Sequence, residues 1–474
     1  MRITVPFAGE GSGVGELTWG QFAAWRSMRV VQATEWAGGT MPLDEGTTVR
    51  DVVATLGFIM SRHQSLRTRL LPGDGDGDSP PRQILSNSGT VTLEVYDDDG
   101  DPEALAATIR AAYEAAPWDP YTDWPVRMAV VADAGNPDRA LWFVALYCHM
   151  VIDGYGFEAL IADLANLDTA TGRHLAPVAG VQPLELAAAQ QGPAARRAHQ
   201  ASLRYWEKHL RAIEPRRFPV PLTPQPPRWC EATLTSPATH LALAAVAART
   251  KVHTGTILLA AYAVMLGRLS GQPVGAFRIV VSNRFRPGFA ESVSNLAQAG
   301  LAVIDTGGCT FDEAVARTFK AQLTAGMYAY YHPRDLWSLV DRVGTERGVD
   351  LDTGCYFNDR RRSAAQAPAA GVPSAARIAD AFAAGALRWG PSSDEWDPTC
   401  FLHVDAATDA VELTWRVDTA AVSPTMVETC LRGIESLIVT AALDPAPSGP
   451  AAPRKPAAGP DAGTPLAEPA VPAR

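Results

Sequence analysis

His149 closes an apolar run, and Asp153 and Gly154 follow it within the stretch Leu141 to Gly154, LWFVALYCHMVIDG. Imidazole has an unperturbed pKa of about 6.5, so it is the side chain best suited to taking and returning a proton near neutral pH. Such a group works only if it is held still. Leu141 to Leu146 are uninterrupted apolar residues, bulky or β-branched for the most part, which predicts a strand buried on both faces that delivers His149 to its end. Asp153 and Gly154 supply a turn. Phe157, Leu160, Ile161 and Leu164 then recur at helical intervals over Tyr155 to Leu167, so the unit reads strand, turn, helix. Cys148 adjoins His149, and a thiol beside an imidazole suggests a nucleophilic pair. Neighbours in an extended strand point to opposite faces, however, so Cys148 is expected to be a small buried residue. A histidine after an apolar strand also arises without catalysis, so the reading depends on the rest of the chain.

With 474 residues the chain exceeds what one hydrophobic core ordinarily serves, about 250 to 300 residues, and two halves are expected. Hydrophobic residues at 47% and charged residues at 19% exclude general disorder. A formal net charge of -10 without a clustered basic surface argues against nucleic acid. Arg360-Arg361-Arg362 is the most basic short run and reads as a solvated loop, with docking of an acidic carrier as the other reading. The six cysteines show no C-x-x-C pair and no zinc-type spacing, so no metal site is expected and free thiols in a cytoplasmic protein are. Asp74, Asp76 and Asp78 imitate the start of a calcium loop, but Ser79 and Leu85 stand where glycine and glutamate are required, so they read as a solvated loop. The first fifteen residues do not resemble a signal peptide, and the longest apolar stretches are too short for a bilayer, so no membrane association is expected.

The elements around the motif follow from pattern. Thr47 to Arg62 is amphipathic, with Val49, Val52, Val53, Leu56 and Ile59 or Met60 at helical spacing, and delivers to its end Arg62 and Arg67, which read as structural groups bonding carbonyls and carboxylates or as part of a solvated face. Leu71 to Arg82 reads as a hairpin loop before the strand Val91–Val95; Pro102 to Ala116 reads as a helix, and Val126 to Ala132 as the strand that pairs with the motif strand. Residues 168 to 200, with scattered glycine and proline, read as the crossing between halves. Beyond it, helices start at Ser236-Pro237, at Thr254 and at the Thr310 to Glu313 capping box, and Ser423 to Ala442 is the last. Strands are expected at Val274 to Val281, Leu301 to Asp305, Gly354 to Asn358, Phe401 to Asp405 and Val411 to Asp418. From Asp444 the chain turns to alanine, proline and glycine and is expected to be disordered.

Cys148, His149, Asp153 and Gly154 resemble the HHxxxDG motif of condensation domains from nonribosomal peptide synthetases, with cysteine at the first histidine. Further segments match in family order. Leu17-Thr18-Trp19-Gly20-Gln21 with Trp25 is similar to the opening motif, and Arg62 to Thr68 resembles the R-H-x-x-L-R-T motif. Tyr205-Trp206 with Leu210 looks like the helix that opens the second half. Ser282-Asn283-Arg284 with Val293 to Asp305 is similar to the G-R motif and its strand, with Asn283 in place of glycine, and Tyr356-Phe357-Asn358 resembles the strand that ends in asparagine. The resemblance covers about residues 15 to 445.

It implies an α/β (α+β) fold of two chloramphenicol-acetyltransferase-like subdomains arranged as a V with a central tunnel. The first is expected over residues 1–175, a crossing linker over 176–200, the second over 201–445 and a tail over 446–474. It also implies a monomer with pseudo-dimeric halves. Donor and acceptor carrier proteins would bring thioesters on phosphopantetheine arms, with no cofactor bound to the chain itself, and an acceptor amine would attack the donor carbonyl to form an amide. His149 is the implied catalytic residue, either removing a proton from the amine or orienting it. Asp153 is implied to pair with Arg284 as a structural tie between the halves. Gly154 is expected to adopt a positive φ or to admit the pantetheine arm closely, and Cys148, Tyr155, Gly156 and Asn358 are expected near the tunnel. Three other readings stay open: an epimerase that moves a proton at the α-carbon, an ester-forming or coenzyme A-dependent acyltransferase, and a non-catalytic recruiting module.

Overall fold

A computed structural model describes residues 1–73, 79–98, 100–168, 171–361, 371–394, 396 and 398–444. The expected tail and the Asp74 to Asp78 loop lie outside the described residues. A five-stranded sheet comes from the first part of the chain, in the order Arg2–Ala8, Ser88–Asp98, Val126–Asp133, Asn136–Cys148, Trp36–Pro42. The motif strand Asn136–Cys148 lies second from one edge and pairs antiparallel with Val126–Asp133 and Trp36–Pro42. Helices cover both its faces: Val144 packs with Ala106 and Ile109 of the helix Pro102–Ala115, while Ala145 and Tyr147 join the cluster of Val49, Val52 and Leu56 from the helix Val49–Arg62. Burial is complete from Val144 to Cys148, whereas Leu141, Trp142 and Phe143 are only half-buried, so the two-sided cover is confined to the strand's last turn toward His149.

The second sheet has seven strands, in the order Gln298–Asp305, Val274–Val281, Cys355–Asp359, Cys400–Ala407, Ala410–Asp418, Trp229–Ser236, Ala386–Trp389. Its core is built with the helices Pro237–Thr250, Thr254–Ser270 and Pro424–Leu443 around Tyr262 and Trp415, whose indole donates to the Tyr262 hydroxyl at 3.0 Å. Ser236, Thr310 and Ser423 cap their helices as their positions in the sequence predict, and Thr310 with Glu313 forms the capping box. No single helix among the described residues is long and apolar enough to cross a membrane. Pro237–Thr250 and Thr254–Ser270 together have the length and composition, but they are bent by 102° and form the core.

Two expectations need correction. The crossing is not an irregular linker: Pro183–Gln190 and Pro193–Leu210 are helices, each with proline in its first turn. Proline there starts a helix, because the amide it lacks would have had no intrahelical partner. Arg361 is not on a solvated loop either; it is buried, forks onto Asp359 and donates to Thr254 at 3.0 Å, while Arg360 pairs with Asp405. Arg362 lies outside the described residues.

The two sheets meet through residues 283–297, which leave the second sheet after Val281 and run across to the first. Val293 buries its side chain in the first core, and its carbonyl accepts from Ser65 Oγ at 2.6 Å. Arg62 and Arg67 bear the structural reading. Arg62 forks onto Asp163 and donates to the carbonyls of Ala176 and Pro177, while Arg67 donates to those of Glu10, Gly11 and Ser86. Beside Arg62 and His63, the Asp163 carboxyl is held well below the usual carboxylate range despite its burial.

Candidate active site

His149 follows the last residue of the motif strand and is anchored on three sides. Its amide donates to the Glu35 carbonyl at 2.7 Å, its carbonyl accepts from Asn295 Nδ2 at 2.7 Å, and its ring Nδ1 lies 2.9 Å from the Ile152 carbonyl oxygen. A carbonyl can only accept, so in the neutral ring Nδ1 carries the proton and Nε2 holds the lone pair. The turn from His149 to Ile152 therefore selects the tautomer that presents a base at Nε2.

Asp153 turns back into the fold. It caps the helix Gly154–Asp163, with Oδ1 accepting from the Gly156 amide at 2.7 Å. The same oxygen accepts from Arg284 Nη2 at 2.7 Å, while Oδ2 accepts from the amides of Leu296 and Ala297 at 2.8 and 3.0 Å. Three of these four donors belong to residues 284–297, so one buried carboxylate fastens the second half's crossing segment to the motif. Arg284 completes the arrangement by donating to the carbonyls of Phe289, Ser292 and Ser294, which folds the segment around its guanidinium.

Asn283 has φ +58°, a left-handed conformation in which glycine and asparagine are the favoured residues. It is fully buried, and its Nδ2 donates to the carbonyls of Leu296 and Ala329 at 3.0 Å each, which a glycine could not do.

Gly154 departs from one expectation. It is absent from the positive-φ positions, and a Cβ built on it would meet nothing within 4 Å, so no backbone strain requires glycine there. Gly156 is the constrained position: its Cβ would lie 2.9 Å from Ile152 Cγ1 and 2.9 Å from the Ser294 carbonyl oxygen. Tyr155 is exposed. Cys148 is fully buried with Sγ 3.8 Å from Met28 Sδ, and burial pushes its thiol up to about 12. It is thus a packing residue rather than a nucleophile. Asn358 is not brought into this network: it sits on the second sheet opposite His403.

Residues that the sequence did not single out complete the site. Ser294 and Asn295 lie within the segment matched to the strand after the G-R motif, but nothing in their types marks them. Gly20, in the helix Trp19–Val31, lets that helix approach the same segment, since a Cβ there would stand 2.1 Å from the Asn295 carbonyl oxygen. A hollow of about 550 Å³ is bounded by Met1, Ile3, Val49 and Asp138, and one of about 490 Å³ by Val340, Gly344 and Leu351. His149 borders neither.

A strand-end imidazole thus sits on a turn that Asp153 and Arg284 tie to a second sheet, in an α/β protein whose five- and seven-stranded sheets are accompanied by a small three-stranded one. The chain belongs to the Condensation domain family, which it matches over residues 40–332. It is 27% identical over 319 residues to the phosphinothricin tripeptide synthetase PhsC of Streptomyces viridochromogenes, a match covering 63% of this chain and 28% of that protein. It is 31% identical over 140 residues to the hybrid PKS-NRPS synthetase tasS of Hapsidospora irregularis, covering 27% of this chain and 3% of that one. The chain thus spans less than a third of the length of the curated relatives it matches.

Among solved structures, the condensation domain that mediates chain release from the enacyloxin polyketide synthase superposes with a TM-score of 0.71 at 20% identity, covering 98% of this chain and 86% of that one. The X-domain from teicoplanin biosynthesis gives 0.67 at 18%, covering 93% and 97%. The first condensation domain of the calcium-dependent antibiotic synthetase, in complex with a substrate analogue, gives 0.65 at 16%, covering 92% and 98%. These likenesses establish the fold.

Proposed function

We propose that this chain catalyses condensation in the assembly of a nonribosomal peptide or hybrid product, joining an acceptor amine to an acyl group held as a thioester on a carrier's phosphopantetheine arm. Condensation domains work with such carrier-bound substrates, and here two carriers would feed a passage between the halves. The observation that carries the reading is the bond from His149 Nδ1 to the Ile152 carbonyl, at 2.9 Å, which leaves Nε2 as the free base.

In this reading the amine nitrogen adds to the thioester carbon while Nε2 accepts a proton from it. The tetrahedral adduct then expels the pantetheine thiolate, which recovers the proton. The chain itself forms no covalent bond to substrate, so holding the two arms together supplies much of the rate, and effective molarities allow about 7 to 11 kcal/mol for that. The open space beside Gly154 supports a close approach of an arm, and Asp153 and Arg284 act as positioning residues through the turn.

Mass spectrometry of products from carrier-bound and free donors, offered amine and alcohol acceptors, tests the proposal. Amide formation from carrier-bound donors is expected, and His149→Ala is expected to lower turnover by about 10² to 10⁴-fold. A His149→Ala protein with nearly full turnover would refute both the base and the orienting role. Ester products, or inversion at the α-carbon of a loaded carrier without bond formation, would replace this reading with the acyltransferase or the epimerase.

A further inference from the structure

Cys355 and Cys400 open the neighbouring parallel strands Cys355–Asp359 and Cys400–Ala407, and they stand directly opposite one another in the register. The Cys400 amide donates to the Gly354 carbonyl at 3.0 Å, which fixes that alignment. Both thiols enter the core of the second sheet beside Tyr262, whose hydroxyl lies 3.4 Å from Cys400 Sγ. Neighbouring strands run about 4.8 Å apart, and a disulfide spans Cα atoms about 4.4 to 6.8 Å apart. A bridge between the two therefore needs no displacement of either strand. All six cysteines are free in this structure, and Cys148 and Cys230 face Trp36 and Val417 in their registers, so neither of those has a thiol opposite it.

Arg217 gives the pair a second, independent feature. It is 5% exposed, and while Nη1 donates to the Val274 carbonyl at 3.0 Å, Nε and Nη2 have no hydrogen-bond partner among the described residues. Its guanidinium lies over the Phe277 ring at 5.5 Å, and Phe277 packs edge-on against Tyr262 at 5.7 Å. Gly275 makes room for it, since a Cβ there would stand 2.4 Å from Nη1. Among the described residues no carboxylate pairs with this cation, and the ionisable groups that act on it are Cys355, Cys400 and Tyr262. A buried charge without a counter-charge is costly, and a thiolate is the anion these neighbours can offer. The hydrogen bond with Cys400, and then burial, hold the Cys355 thiol well above its ordinary value, and the guanidinium opposes them. The resting pair is thus protonated, with Arg217 placed to offset the cost when a proton leaves.

We propose that Cys355 and Cys400 form an oxidisable dithiol that a hydroperoxide closes to a disulfide, with Arg217 stabilising the attacking thiolate. The Cys355 thiol gives its proton to water and its sulfur attacks one peroxide oxygen; the O–O bond breaks, and the departing hydroxide takes up a proton to leave as water. Cys355 is then a sulfenic acid. Cys400 sulfur attacks it, the S–O bond breaks, and hydroxide leaves with the Cys400 proton as a second water. Two thiols are oxidised to one disulfide and one hydrogen peroxide is reduced to two waters. Each cysteine is the first residue of its strand, so fraying at the strand ends admits a molecule as small as hydrogen peroxide. The site is separate from His149 and its turn and does not depend on the function proposed above.

The test treats the native full chain with hydrogen peroxide, alkylates the remaining thiols with iodoacetamide, and follows intact mass and non-reduced peptide maps over time. The expected product has lost two hydrogens, contains one cross-linked peptide joining Cys355 to Cys400, and returns to the starting mass with dithiothreitol. Cys355→Ser and Cys400→Ser are each expected to abolish that peptide, and Cys430→Ala to form it as the wild type does. Arg217→Met is expected to slow bridging about tenfold near neutral pH and to move the rate profile to higher pH, as a thiol pKa about one unit higher requires. Arg217→Lys keeps the charge and is expected to restore most of the rate, which separates charge from packing. A bridge that forms only in urea, oxidation of the two residues to sulfinic acids without a cross-link, or a disulfide to Cys430 instead overturns the inference. So does an Arg217→Met protein that bridges at the wild-type rate with an unchanged pH profile.

Discussion

Replacing Asp153 by alanine removes one carboxylate and strands four donors at once: the Gly156, Leu296 and Ala297 amides and Arg284 Nη2. Side-chain exposure of Arg284 is 10% and of Asp153 3%, so water cannot readily replace the lost partner. Breaking a buried pair from one side costs about 3 to 5 kcal/mol, because the remaining charge stays buried and uncompensated. Against a typical domain stability of about 5 to 15 kcal/mol that is a large share. Asparagine should rescue little: its oxygen could still serve the Gly156 amide and Arg284, but its NH₂ would then face the Leu296 and Ala297 amides, donor against donor. The expected result is that Asp153→Ala and Asp153→Asn are both destabilised in urea unfolding, and that Asp153→Ala/Arg284→Met recovers part of the loss, since no lone charge remains. Activity should fall with stability. A soluble Asp153→Ala protein of unchanged stability but without activity would refute the tie and point to a direct chemical role for the carboxylate.

Two further outcomes follow from the same geometry. Gly156→Ala should lose about 1 to 3 kcal/mol by overpacking against Ile152 and the Ser294 carbonyl, whereas Gly154→Ala should keep its stability and, if an arm passes there, lose activity; equal melting temperatures for the two variants would contradict the packing described. His403 is held neutral, its pKa lowered to about 3 by burial and by the nearby Arg360 and Arg416 guanidinium groups. Its folded pKa thus lies below that of the unfolded chain, so its contribution to stability is complete above about pH 6.5 and is lost as pH falls toward 3, at up to about 1.4 kcal/mol per pH unit. Urea titrations between pH 4 and 7 should show a shallower slope for His403→Phe than for wild type, and parallel slopes would count against it.

The local units were legible because their signals are local. The Thr310 to Glu313 box, Ser236-Pro237 and the strand Val274–Val281 stand where their residue types put them, because caps and alternation act over a few residues. Trp36–Pro42 was not legible as a strand: it contains Gly38 and Gly39, and it is held by its register with the motif strand rather than by its own propensity. Gly38, with φ +135°, is needed there because a Cβ would stand 2.1 Å from the Ala145 carbonyl oxygen. The end of the helix Pro193–Leu210 was legible at Tyr205-Trp206, but its start and the helix Pro183–Gln190 were concealed by glycines and prolines read as a crossing. In the site, His149, Asp153 and Arg284 carry their chemistry in their side chains and could be named. Ser294 and Asn295 owe their places to a crossing segment whose path depends on Arg284 binding three carbonyls, and no spacing reveals that.

That crossing segment also explains why the proposed site belongs to neither half alone. The His149 amide is held by Glu35 from the first half and its carbonyl by Asn295 from the second. The ring is fixed by Ile152, the residue before Asp153, whose carboxylate is itself held by the second half. Any separation of the halves that freed residues 294–297 would release the carbonyl of His149 and strip Asp153 Oδ2 of the Leu296 and Ala297 amides together. The backbone that carries the imidazole is therefore held from both sides only while the halves are docked, whereas the ring's own contact with the Ile152 carbonyl lies within the first half.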